Sequence, residues 1–232
     1  MKRILGVVGA ALALAVPSVV VGQVLDFEGI VPGNVGYVTI GDWYNGGGGP
    51  NYGISFSDNA YALCQVTAYQ DACDGSSNIS RGGQGDVSSR LGGMIFLGDA
   101  PSTYMNGTSG FTSGFSFFYS APVSPGGFTV WSGLNGTGIP LATLVLPLTS
   151  NGGSDASCFF QVYCPFYATG VNFAGTAYSV TFEGVANYIA FDDVTFGSST
   201  PGNVVPEPAT IGLVGTGLVG LFGARFRRRK SA

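Results

Sequence analysis

The chain has 232 residues, 45% hydrophobic and 13% aromatic but only 9% charged, with 39 glycines and 12 prolines. Lys2, Arg3, Arg225, Arg227, Arg228, Arg229 and Lys230 sit near the ends, so between Gln23 and Val205 only Arg81 and Arg90 face twelve acids, a net of minus 10. Such a middle repels nucleic acid and anionic lipid, its aromatic content argues against disorder, and the absence of histidine removes the usual general base and every histidine-dependent triad.

Residues 1–22 read as a signal peptide. Met1-Lys2-Arg3 is a basic start and Ile4 to Val16 is apolar. Val20-Val21-Gly22 puts small or branched residues where signal peptidase cuts, so cleavage is expected after Gly22. The apolar stretch is shorter than the roughly 20 residues that span a bilayer, although an uncleaved anchor is the alternative reading.

Residues 23–197 read as one extracytoplasmic domain, long enough for a hydrophobic core of its own. Strand-like runs fall at Tyr37 to Ile40, Gly53 to Phe56, Met94 to Leu97, Phe115 to Tyr119, Phe128 to Trp131, Thr143 to Leu148, Tyr178 to Phe182 and Tyr188 to Phe196. No amphipathic helix competes with them. Asn45-Gly46, Asn106-Gly107, Asn135-Gly136 and Asn151-Gly152 tolerate the positive φ of tight turns and are read as corners between strands. Many short strands with such corners predict an all-β, two-sheet sandwich.

Four cysteines form two local pairs, Cys64 with Cys73 and Cys158 with Cys164. In an oxidising compartment their short separations favour two disulfides in that pairing, each worth about 2 to 3 kcal/mol through loop closure. With no histidine and no CxxC spacing, zinc is the weaker reading.

Trp43, Tyr44, Tyr52, Tyr61, Tyr104 and Trp131 could offer flat rings to sugar faces. Trp43 and Tyr44, beside the Gly46 to Gly49 loop, are the candidate carbohydrate-binding pair, and Trp131, inside a strand run, is read as core. No catalytic residue is assigned. The domain lacks lysine, a GxSxG elbow and a phosphate-binding loop, and only paired-carboxylate glycoside hydrolysis stays open as an enzyme class.

Residues 198–204, polar with Pro201-Gly202, read as a flexible linker. Residues 205–232 then carry three parts: Val205-Pro206-Glu207-Pro208-Ala209-Thr210, an apolar helix expected over 209–226, and a basic tail over 225–230. Two prolines around one carboxylate hold an extended backbone that joins neither a helix nor a ladder. The helix, at ~1.5 Å per residue, covers about 27 Å, enough for a thin bilayer, with the arginines held on the cytoplasmic side. Gly215-Thr216-Gly217-Leu218-Val219-Gly220 matches a dinucleotide-binding pattern in form only, since no strand precedes it and no ribose acid follows.

This three-part end resembles the PEP-CTERM sorting signal of Gram-negative bacteria, whose proteins are cut and transferred by membrane transpeptidases of the exosortase family. The resemblance implies that Pro206, Glu207 and Pro208 are a processing site and that signal peptidase and an exosortase-type enzyme are partners. It also implies a domain held outside the cytoplasm by the membrane helix, or released to the surface or matrix, in association with exopolysaccharide.

Leu25-Asp26-Phe27-Glu28-Gly29 and Asn187-Tyr188-Ile189-Ala190-Phe191-Asp192-Asp193-Val194 resemble the first and last strands of jelly-roll carbohydrate-binding-like domains. In several such families acids from these strands share a structural calcium ion. That resemblance implies Glu28 and Asp192 as calcium ligands, with Asp26 and Asp193 behind them, and no other cofactor. Strand alternation puts Asp192 and Asp193 on opposite faces, so at most one should point inward; exposed acids at strand ends are the alternative. The sequence thus reads as a non-enzymatic surface or matrix protein, with a carbohydrate-binding module as the alternative and a polysaccharide-cleaving enzyme behind both.

Overall fold

The computed structural model describes residues 23–27, 29–30, 37–63, 93–150, 163 and 165–202. Among them are twelve strands and no helix: β1 (Val24–Leu25), β2 (Tyr37–Thr39), β3 (Ile54–Phe56), β4 (Ala60–Leu63), β5 (Met94–Phe96), β6 (Ser102–Phe111), β7 (Gly114–Ser120), β8 (Gly126–Trp131), β9 (Pro140–Leu146), β10 (Tyr167–Asn172), β11 (Ala177–Glu183) and β12 (Ala190–Phe196). They form two antiparallel sheets. One runs β10-β7-β12-β5-β4-β2 with β1 also on β12, and the other runs β3-β6-β11-β8-β9.

Phenylalanine supplies the layer between them. Phe117 of β7 lies 4.9 Å from Phe128 of β8 and 5.7 Å from Phe182 of β11, ring centre to ring centre, as well as 5.3 Å from Phe191 of its own sheet. Phe115 repeats the pattern against Phe128 and Phe182. Tilted and edge-to-face rings at these distances add to simple burial by setting the electron-rich face of one ring against the edge of the next. The rings come from both sheets, so the layers are packed face to face as a sandwich.

Asn106-Gly107, read as a corner, lies in the middle of β6, where Asn106 pairs with Ser179 and Gly107 with Ile54. Tertiary partners override the local turn preference. The Asn106 amide donates to Asn135 Oδ1 and its oxygen accepts from the Asn135 backbone N–H, both at 2.7 Å. Asn135-Gly136 is a tight turn as expected, with φ of 57° and 67°. Asn151-Gly152 lies outside the described residues.

Residues 198–202 are docked and do not form a free linker. Ser116 donates to the Ser198 carbonyl at 2.9 Å, Gly202 N–H donates to Thr195 Oγ1 at 3.0 Å, and Pro201 is buried. A Cβ on Gly114 would sit 2.7 Å from the Ser198 carbonyl carbon, so glycine in β7 is what lets this segment lie on the sheet.

Candidate functional site

Several sequence-derived sites fall outside the described residues: Gly22, Glu28, the cysteines Cys64, Cys73, Cys158 and Cys164, and the processing residues Pro206, Glu207 and Pro208. So does the expected membrane helix. Among the described residues no helix is long and apolar enough to cross a membrane.

The terminal strands do meet. Leu25 pairs with Val194 and Val24 with Thr195. Asp192 and Asp193 are both buried, on a strand that is covered on both faces. A β-bulge falls on them. Between Asp192 and Thr195 the register on β7 slips by one residue, and Asp193 takes a left-handed φ of 48°, so strict alternation is interrupted there. Asp192 Oδ1 accepts the Asp193 backbone N–H at 2.8 Å, which steadies the bulge. Asp26 is exposed. Among the described residues, which leave out Glu28, no three His, Cys, Asp or Glu side chains form a group that could hold a metal ion.

Tyr44 is buried, at 2% exposure, and offers no face to a ligand. Its ring stacks on Tyr52 and meets Phe27 edge-on, and its hydroxyl oxygen accepts the buried Phe27 N–H at 2.8 Å. Burial, then the nearby carboxylates of Asp26 and Asp192, push its phenol well above 10.0. Trp43 is half-buried beneath its own loop. A Cβ on Gly48 would lie 2.7 Å from Trp43 Cε3, and one on Gly49 would collide with the indole nitrogen. The glycines expected to expose this ring instead let the backbone close over it.

The outer face of the five-stranded sheet holds what the sequence reading left out. Phe128, Val130, Val180, Phe182 and Met105 point into the core, so their neighbours point out. Register then sets Tyr104, Thr181, Thr129 and Thr143 in one row, Ser102, Glu183, Gly127 and Val145 in the next, and Trp131 beyond them. Trp131, read as core, is half-buried on this face. Its Nε1–H donates to Thr181 Oγ1 at 3.0 Å, Thr181 donates to Glu183 Oε1 at 3.0 Å, and Thr129 donates to the same oxygen at 3.1 Å. Thr143 extends the chain to Thr129 at 3.2 Å. Glu183 Oε2 has no hydrogen bond among the described residues. A groove of about 530 Å³ opens here, lined by Pro101, Ser102, Trp131, Thr181, Glu183 and Gly184. The signal was present in the alternation Gly127-Phe128-Thr129-Val130-Trp131, where an inward Phe128 and Val130 require an outward Trp131.

In sequence, no curated protein matches the chain. In structure the chain is similar to the K3 cleaved adhesin domain of Lys-gingipain from Porphyromonas gingivalis W83, at 16% identity over 76% of this chain and 98% of that one, with a TM-score of 0.33. It is also similar to the K1 cleaved adhesin domain of the same protein, at 14% identity over 75% and 96% with a TM-score of 0.36. A third likeness is to the enzymatically active domain of bacteriophage CBA120 tailspike protein 4, at 10% identity over 70% of this chain and 21% of that one, with a TM-score of 0.30. At such scores these likenesses say nothing of function. The family described as the PEP-CTERM protein-sorting motif matches residues 204–229. Pro206-Glu207-Pro208, the apolar run and Arg225 to Arg229 all fall within that span, and the chain therefore carries a PEP-CTERM protein-sorting motif.

Proposed function

We propose that this is an exported, non-enzymatic envelope protein whose β-sandwich domain is delivered to the cell surface through its C-terminal motif. The observation that carries the reading is the matched span at 204–229, in which a rigid Pro-Glu-Pro stretch, an apolar segment and a cluster of arginines follow in the order that halts a chain in a bilayer with the cations inside. In this reading signal peptidase removes residues 1–22. The domain emerges outside the cytoplasm, and an exosortase-type transpeptidase recognises Pro206, Glu207 and Pro208. The protein then stays on the membrane or passes to the surface or matrix, in contact with exopolysaccharide. An oxidising exterior lets Cys64 pair with Cys73 and Cys158 with Cys164.

The sandwich itself is taken as jelly-roll-like, with the first strand beside the last. At that seam we assign a structural calcium ion to Glu28 and Asp192, with Asp26 and Asp193 beside them. Hard carboxylate oxygens suit calcium, and the ion would offset part of a net charge of minus 10 between Gln23 and Val205.

Intact mass spectrometry of the protein, from cells with and without the transpeptidase, tests the sorting. The expected mature mass lacks residues 1–22, and it lacks the residues beyond the motif only when the transpeptidase is present. A tag placed after Ala232 and found still joined to protein outside the cell would overturn the reading.

A further inference from the structure

We propose that the groove on the outer face of the five-stranded sheet binds a neutral polysaccharide, with Trp131 as the stacking platform and Glu183 as the hydroxyl acceptor. The proposal names the partner of the displayed domain. It rests on the export reading only in taking that partner to lie outside the cell.

The ring comes first. Trp131 lies half-buried on an outer face whose nearest side chains are Thr181 and Glu183, so its ring borders polar groups and not the core. Its Nε1–H is tied to Thr181 at 3.0 Å, which fixes the plane of the ring before any ligand arrives and lowers the entropy lost on binding. The polarised C–H groups of a sugar ring meet the electron-rich face of such an indole favourably.

Polar chemistry points the same way. Thr181 and Thr129 both donate to Glu183 Oε1 and hold the carboxylate in place, while Oε2, beside Gly127, is left to accept from a ligand. A Cβ on Gly127 would stand 3.7 Å from that oxygen, in ordinary contact with it. An acceptor beside a ring, with the Ser102 and Thr181 hydroxyls in the same lining, recognises a polyhydroxylated, uncharged chain. No lysine or arginine lies among the described residues, so polyanions find no counter-charge here.

Size and stoichiometry separate binding from cleavage. A volume of about 530 Å³ lies inside the ~300 to 1,000 Å³ range of ligand sites. Hydrolysis of a glycoside needs two carboxyl groups about 5 to 9.5 Å apart, and Glu183 is the only acid lining the groove. From β6 across β11 and β8 to β9, strands spaced by about 4.8 Å present ~14 Å of continuous surface, which suits a chain better than a single sugar.

Affinity electrophoresis of the mature chain in gels containing dextran, hydroxyethylcellulose or galactomannan tests this, with alginate and plain gels alongside. The expected result is retardation in at least one neutral gel, weakened about tenfold or more in Trp131→Ala and kept in Trp43→Ala. Should Trp131→Ala fail to fold, Trp43→Phe leaves Trp131 as the only tryptophan, and the retarding polysaccharide should shift or quench its emission. Retardation in none of the neutral gels overturns the proposal, as does retardation in alginate alone, retardation unchanged by Trp131→Ala, or an emission that does not respond. A protein that binds but is never exported refutes only the sorting reading. One that is exported and does not bind refutes only this proposal.

Discussion

Replacing Tyr44 by phenylalanine keeps the ring and removes one oxygen, and the structure fixes what that should cost at two pH values. Phe27 carries a left-handed φ of 56°, and its buried N–H has the Tyr44 oxygen as acceptor at 2.8 Å. Without that oxygen a buried donor is left unsatisfied, at a cost of about 1 to 3 kcal/mol, so a loss near 2 kcal/mol is expected at pH 7. The second value comes from the phenol, which burial and then Asp26 and Asp192 raise well above 10.0. In the unfolded chain the phenol ionises near its ordinary value, while in the folded protein it stays protonated. The unfolded state therefore binds fewer protons above pH 10, and wild-type stability falls there by up to about 1.4 kcal/mol per pH unit from this group. Tyr44→Phe has nothing to titrate at this position. The gap between the two proteins should narrow from about 2 kcal/mol at pH 7 to roughly 0.6 kcal/mol at pH 11. Urea titrations at both pH values measure it. A gap absent at pH 7, or one that stays constant or widens at pH 11, would refute the assignment of Tyr44 as a buried structural phenol.

Further expectations follow from the core, the turns and the seam. Phe117→Ala, at a position with no exposure and ring partners on both sheets, should cost about 3 to 5 kcal/mol. That is a fall in melting temperature of roughly 6 to 20 °C at 2 to 4 °C per kcal/mol, whereas Val145→Ala, 72% exposed, should change it by less than about 0.5 kcal/mol. In Gly136→Ala the new methyl meets Thr181 Cγ2 at 2.6 Å with φ at +67°. It should destabilise by about 1 to 2 kcal/mol and weaken any ligand held through Thr181. If calcium joins the terminal strands, excess EGTA should lower the melting temperature, by about 2.7 kcal/mol of stability when the ion had been at a hundredfold excess over its dissociation constant. Asp192→Asn should remove that response, and melting unchanged by EGTA ends the calcium proposal.

The fold was legible where apolar and aromatic residues are dense. Phe115 to Tyr119, Phe128 to Trp131 and Tyr178 to Phe182 each lie within an observed strand, because bulky side chains that alternate across a pleat have few other places to go. Strand β6 was not legible, since Ser-Thr-Tyr-Met-Asn-Gly-Thr-Ser-Gly-Phe is polar and turn-prone by composition and becomes a strand only through β3 and β11 on either side. Strand β10, with Gly170 facing Ser116, likewise depends on its neighbour. At the site, the outward place of Trp131 followed from alternation alone, but its tie to Thr181 and Glu183 needed the pairing of strands about fifty residues apart. The bulge at Asp193 and the closing of Gly48 and Gly49 over Trp43 are properties of backbone dihedrals and packing. A residue string does not encode them at short range.

The docking of residues 198–202 limits how far the sorting motif can stand from the domain. Gly202 is pinned to Thr195, and Pro206 comes four positions later. Even fully stretched, four residues reach no more than about 14 Å. Under the proposed sorting, a chain held in the bilayer through residues 209–226 would keep the β12 seam within that reach of the membrane surface until it is cut, and the processing enzyme would have to work in that gap or first peel Ser198 away from Ser116. The rate of processing should consequently depend on how firmly a serine and a threonine hold the last residues of the domain.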